Sequence, residues 1–192
     1  DPSGASGPNG YHPSWGDFGA DSHGECGVPV DRRFRTPSNG NRIFWYSFDH
    51  GMVHVVQLSS EHDLSPGSPQ YQWLVADLAA ADGATRRLHT PWIVLTLHRM
   101  VYALSAEGGE ATTTTGIRKS LEPLLRARRV NLVLSGHQHS YERMCAVYEG
   151  ECLPAGAPGT VFITAGTGGA GLFEYPPDKP STGNYTMQAT AR

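Results

Sequence analysis

Two short apolar runs, Trp92 to Leu97 and Val130 to Leu134, flank an amphipathic helical pattern, and a histidine stands close behind each run. Runs of five or six predominantly apolar residues are the length of a buried strand. Strands alternating with helices in this way place the chain in the α/β class. The first run stops at His98, and the second stops at Ser135-Gly136 before His137-Gln138-His139. Ligands in open α/β sheets are held at the C-terminal ends of the strands, which is where these histidines stand. Imidazole is the commonest side-chain ligand for a transition metal. Taken alone, a His-x-His pair reads equally well as two ordinary loop histidines. Three histidines at strand ends, His98, His137 and His139, make a far more specific constellation.

The rest of the chain supplies further elements. Residues 1–42 are rich in Gly, Pro, Ser and Asn without periodicity and are expected to be irregular. Ile43 to Phe48 and Met52 to Leu58 read as strands joined at Asp49-His50-Gly51, with His54 a satisfied core or edge histidine in the second. Glu61-His62-Asp63 reads as a loop of solvated charges. Ser68 is an N-cap for a helix whose apolar positions are Tyr71, Leu74, Val75, Leu78 and Ala79, ending at Asp82-Gly83. Residues 103–115, polar and Thr-rich, are expected to form a loop over the site. Ile117, Leu121, Leu124 and Leu125 mark the next helix, which tolerates Pro123 only in or near its first turn. Arg126, Arg128 and Arg129 close that helix as a solvated end, favourably placed against its dipole. Thr160 to Ala165 is another strand. It ends in Gly166-Thr167-Gly168-Gly169, read as a tight turn near the site because no helical pattern follows to make it a phosphate cradle. Residues 43–170 thus carry the sheet, helices and histidine motifs, and 171–192 form a Pro-rich tail.

Composition excludes some function classes. With 15 basic against 18 acidic residues, a formal net charge of -3, the chain has no basic footprint for nucleic acid. No apolar run approaches membrane-spanning length. Cys145 and Cys152 bracket the turn-prone Glu149-Gly150, so a disulfide closing that hairpin fits an oxidising compartment. Cys26 is then either buried and free or paired outside this chain. Asn184-Tyr185-Thr186 is a glycosylation sequon pointing, like the disulfide, to secretion.

Several segments in co-linear order carry a resemblance. They are Glu25-Cys26-Gly27-Val28-Pro29, Arg33-Phe34, Trp45-Tyr46-Ser47-Phe48, Ser60-Glu61-His62-Asp63, Gly67 to Leu74, His98-Arg99 with Tyr102, and Gly136 to Arg143. Across most of residues 25–170 the chain resembles the C-terminal part of the metal-binding domain of a purple acid phosphatase, in the calcineurin-like metallophosphoesterase superfamily. The resemblance implies part of a four-layer αββα sandwich lacking its N-terminal strands. It implies hydrolysis of phosphate monoesters by a metal-bound hydroxide at a binuclear centre of Fe(III) with Zn, Mn or Fe(II). His98 and His137 would bind the divalent metal and His139 the ferric ion. Tyr102, Glu142 and Arg143 are candidates for catalytic or supporting roles. The family's earlier Asp, Asp-Tyr and Asn-His motifs are absent, and Asp17 in Trp15-Gly16-Asp17-Phe18-Gly19 is a loop residue. The chain is therefore expected to start just after the Asn-His motif, to supply the histidine half of the site, and to be inactive or nearly so alone. Expected partners are a phosphate ester and the rest of its own polypeptide or a larger extracellular assembly. Two other readings remain open. One is a non-catalytic phosphatase-like module of an extracellular or cell-surface assembly, and the other a mononuclear zinc module built on the three histidines.

Overall fold

The computed structural model describes residues 28–103, 108–169, 171 and 186–190. Cys26, Asp17, the Asn184 sequon and most of the expected tail lie outside the described residues.

A mixed sheet forms the centre. Its strands are β1 (Tyr46–His50), β2 (Val53–Gln57), β3 (Trp92–Thr96), β4 (Leu132–Ser135), β5 (Tyr141–Tyr148), β6 (Glu151–Cys152), β7 (Thr160–Ala165) and β8 (Thr186–Thr190). They lie in the order β1-β2-β3-β4-β7-β5-β6, with β8 also pairing β5. β2, β3, β4 and β7 are parallel, in register through Val55 with Val94, Leu95 with Val133 and Leu134 with Ile163. β1 and β5 run antiparallel to their neighbours β2 and β7. The hairpin turn after β1 uses Gly51 at φ 57°, a left-handed conformation that glycine adopts without steric cost.

The helices are α1 (Val28–Arg33), α2 (Pro69–Ala81), α3 (Ala84–His89) and α4 (Gly108–Ala127). α2 begins where the sequence predicts: the Ser68 hydroxyl accepts from the Tyr71 N–H at 3.2 Å, and Pro69 occupies the first turn. One sheet face buries Val56, Ile93, Leu95, Val133 and Phe162 in a core with Leu74 and Leu78 of α2 and Ile117, Leu121 and Leu125 of α4. The alternate residues Val53, Val55, Val94, Leu132, Leu134, Val161 and Ile163 are half-buried on the other face. Parallel strands are apolar on both faces because such sheets are covered on both sides, so this pattern suits one half of a layered sandwich.

Three expectations need correction. Residues 108–115 do not form a loop: α4 starts at Gly108, and Thr113 and Thr114 are buried. Pro123 consequently lies deep inside the helix, where its missing N–H costs the bond to the residue four positions back. The arginines at the end of α4 and just beyond it are more than a solvated end. Arg129 pairs with Asp82 at 2.8 Å, and Arg126 donates to the Pro158 carbonyl and lies 5.7 Å from the Tyr148 ring centroid.

Cys145 and Cys152 form the expected disulfide across the turn where Glu149 and Gly150 both take positive φ. The bond closes a short loop, so its contribution through the unfolded chain is about 2–3 kcal/mol. Cys145→Ser/Cys152→Ser is expected to lower the unfolding free energy by that amount, measured by urea denaturation, while leaving the urea dependence close to that of the parent chain.

Candidate metal centre

β3 and β4 are parallel neighbours, so the loops that follow them emerge side by side at the same end of the sheet. The Leu97 N–H donates to the Leu134 carbonyl at 3.1 Å, and the Gly136 N–H donates to the His98 carbonyl at 2.9 Å. These bonds carry the strand pairing one step past each strand and tie the two histidine loops together. His137 takes φ 60°, a left-handed conformation that turns its side chain out of the strand's alternation. The result is direct contact: His137 Nδ1 lies 3.1 Å from His98 Nε2, with the rings edge to face at 82°.

That spacing suits a shared ion. Imidazole nitrogens are ligands for zinc and other divalent ions, and two of them lie within 3.1 Å of each other here. The Arg99 guanidinium 3.3 Å from His137 Nε2 can only donate, so the neutral His137 ring carries its proton on Nδ1 and donates it to His98 Nε2; a cation held by both nitrogens would have to displace that proton.

His139 is held separately. Its Nδ1 lies 2.9 Å from the Gly171 carbonyl, which can only accept, so Nδ1 carries the proton and the neutral ring keeps its lone pair on Nε2. Fixing one nitrogen through a carbonyl is how proteins orient a histidine whose other nitrogen faces a metal. Gly166, just past β7, donates its N–H to the Ser140 carbonyl at 3.0 Å and packs directly on the Gln138 backbone between the two histidines. The glycine turn does lie against the histidine loop.

Behind the pair stands a cationic support that the sequence reading missed. Arg99 is buried, its Nε donates to Glu61 Oε1 at 2.7 Å, and its backbone N–H donates to the Ser60 hydroxyl at 3.1 Å. Its Nη1 lies 3.3 Å from His137 Nε2. Glu61-His62-Asp63 is therefore no loop of solvated charges. Glu61 anchors Arg99, and His62 packs on the Phe44 and Trp45 rings, where burial pushes its pKa down to about 4. The only early signal was the cluster of titratable types, because Arg99 is distant in sequence.

The other candidates sit deeper. Tyr102 is buried against Phe162. Its hydroxyl donates to Glu122 and accepts the Gly150 N–H at 3.0 Å, and burial followed by the Glu122 bond raises its pKa. Glu142 is fully buried, 3.4 Å from the Ser140 hydroxyl, and Arg143 is half-buried on the same strand, β5. Among the described residues, no three His, Cys, Asp or Glu side chains converge on a common metal position. Among the described residues the donor set is limited to the meeting of His98 with His137. It does not by itself enclose a binuclear centre.

No protein-family model matches the chain. It is 37% identical over 166 residues to a nucleotide pyrophosphatase/phosphodiesterase of Hordeum vulgare, covering 81% of this chain and 44% of that protein. It is 37% identical over 182 residues to a protein of Arabidopsis thaliana named "Probable inactive purple acid phosphatase 1", covering 88% of this chain and 29% of that one. Other Arabidopsis relatives bear the purple acid phosphatase name without the word inactive. Among solved structures, a purple acid phosphatase from yellow lupin seeds superposes with a TM-score of 0.75 at 30% identity, over 93% of this chain and 32% of that one. The chain thus spans less than half the length of the relatives it matches.

Proposed function

We propose that this chain, which belongs to the purple acid phosphatase family, supplies the histidine side of a site for metal-dependent hydrolysis of phosphate monoesters. The observation that carries this is the 3.1 Å meeting of His98 Nε2 and His137 Nδ1 at adjacent parallel strand ends. In this reading His98 and His137 hold the divalent ion, zinc, manganese or iron(II), and His139 offers Nε2 to a ferric ion. Bound metals would supply Lewis acidity toward the phosphoryl group and a nucleophile near neutral pH. The chain's own part is to present three oriented nitrogens from a rigid sheet end, with Arg99 held in place by Glu61 behind them.

The complete centre also needs carboxylates, because neutral imidazoles do not offset two cations. These would come from the rest of a longer polypeptide. Tyr102 and Glu142 serve in this reading as buried supports of the site's scaffold, and Arg143 as a support on β5. The Cys145–Cys152 disulfide supports placing the protein in a secreted or extracellular setting. No described helix is long and apolar enough to cross a membrane.

A second reading, a non-catalytic phosphatase-like module, is favoured by the relatives named as inactive. The two are separated by a p-nitrophenyl phosphate assay on a longer polypeptide that joins this chain to its own upstream region. Turnover that disappears on chelation and returns with added metal is the expected result. A folded, metal-loaded polypeptide with no turnover would favour the module.

A further inference from the structure

His54 lies at the end of the sheet opposite the histidine pair, near the start of β2, and is buried. Its Nδ1 is 2.7 Å from Asp49 Oδ1 on β1, and its Nε2 is 2.9 Å from Asp77 Oδ2 on α2. Carboxylates only accept, so both ring nitrogens must donate, and only the imidazolium can do that. The carboxylates are themselves held. Arg86 of α3 donates to Asp49 Oδ2 at 2.6 Å, and the Ser47 hydroxyl donates to Asp77 Oδ1 at 2.6 Å. Asn39 Nδ2 in turn donates to the Ser47 carbonyl at 2.9 Å. These groups line a cavity of about 290 Å³ together with Phe48, Ala80 and Ala81. Two cations thus face two carboxylates, and the imidazolium is the member that joins three elements, β1, β2 and α2.

We infer that His54 is a proton-dependent latch, which when protonated joins Asp49 of β1 and Asp77 of α2 through one ring, and which on deprotonation keeps its hold on α2 and releases Asp49. A neutral ring keeps one N–H and turns a lone pair on the other carboxylate. Asp49 is the one released, because its side chain is 37% exposed against 14% for Asp77 and regains water more readily.

The direction of the pH dependence follows. Burial opposes a charged ring, but the hydrogen bonds and charges of Asp77 and Asp49 outweigh it and raise the His54 pKa above 6.5. A raised folded-state value means that the latch contributes its full stability below 6.5 and loses it as pH rises through that higher value. Burial also opposes the Asp49 charge, yet the bonds and charges of His54 and Arg86 hold its pKa below 3.8. Its contribution is present above 3.8 and is lost as pH falls through the lower folded value. The latch is therefore closed in mildly acidic solution.

Nitrogen-15 correlation spectra of the imidazoles in the wild-type chain test this directly. The expected result is a His54 ring protonated on both nitrogens at about pH 6 and titrating with a midpoint above the ordinary histidine value. A singly protonated ring at that pH would overturn the latch. Thermal unfolding from about pH 6 to pH 9 gives a second measure, with the wild-type Tm expected to fall across that range as the ring loses its proton. Asp77→Asn, which takes the charge from the Nε2 partner, is expected to flatten that fall. An Asp77→Asn profile parallel to the wild type would contradict the proposal, and the wild-type spectra decide the matter even if the variant does not fold.

Discussion

Replacing His137 with alanine is expected to abolish phosphate-monoester hydrolysis in a longer polypeptide carrying this chain, with kcat/KM falling on the order of a thousandfold or more, about 4 kcal/mol of transition-state stabilisation. The substitution removes one of two nitrogens only 3.1 Å apart and leaves His98 without its neighbour in that pair. One other consequence must be separated from that loss. The position sits at φ 60°, where alanine is strained, so part of any effect would be a stability cost. His137→Asn serves as the control, because asparagine tolerates the left-handed region but offers no imidazole. Matching activity losses in the two variants, with unfolding curves close to wild type for His137→Asn, identify the missing ring as the cause. Near-normal turnover in either would remove His137 from the site.

The second large effect belongs to a residue with no side chain. A Cβ added at Gly166 would lie 1.9 Å from the Gln138 carbonyl oxygen and 2.8 Å from its carbon. Nothing flexible can yield there, since the obstacle is the backbone between His137 and His139. Gly166→Ala is therefore expected to cost about 1–3 kcal/mol or more of stability, read from denaturant unfolding. It is also expected to spread the histidine loop and weaken metal binding even where the chain stays folded. Gly168→Ala is the matching control: a Cβ there meets nothing within 4 Å, so stability and metal binding should stay near wild type. Equal effects of the two substitutions would argue against the close packing at Gly166.

The elements that sequence reading reached are those whose signal is local. β3 and β4 are short apolar runs with a histidine close behind, and their parallel pairing brings His98 and His137 together. α2 carries its own cap at Ser68, and the disulfide hairpin carries its own turn at Glu149-Gly150. The first half of α4 was not legible, because its threonines are β-branched and have low helix propensity, and only burial of Thr113 and Thr114 in the tertiary fold compensates. Partnerships across long sequence distances were equally hidden. Glu61 reads as solvated until Arg99 is placed beside it, and His54 reads as a quiet core residue until β1 and α2 deliver Asp49 and Asp77 to its two nitrogens.

The central claim is that His98 and His137 share one divalent ion. X-ray absorption of this chain loaded with one equivalent of zinc tests it most directly, comparing wild type with the His98→Ala/His137→Ala double variant. The account predicts two imidazole nitrogens at about 2.0–2.1 Å in the wild type and their loss in the variant. A zinc environment without imidazole, or one unchanged by removing both rings, would contradict it.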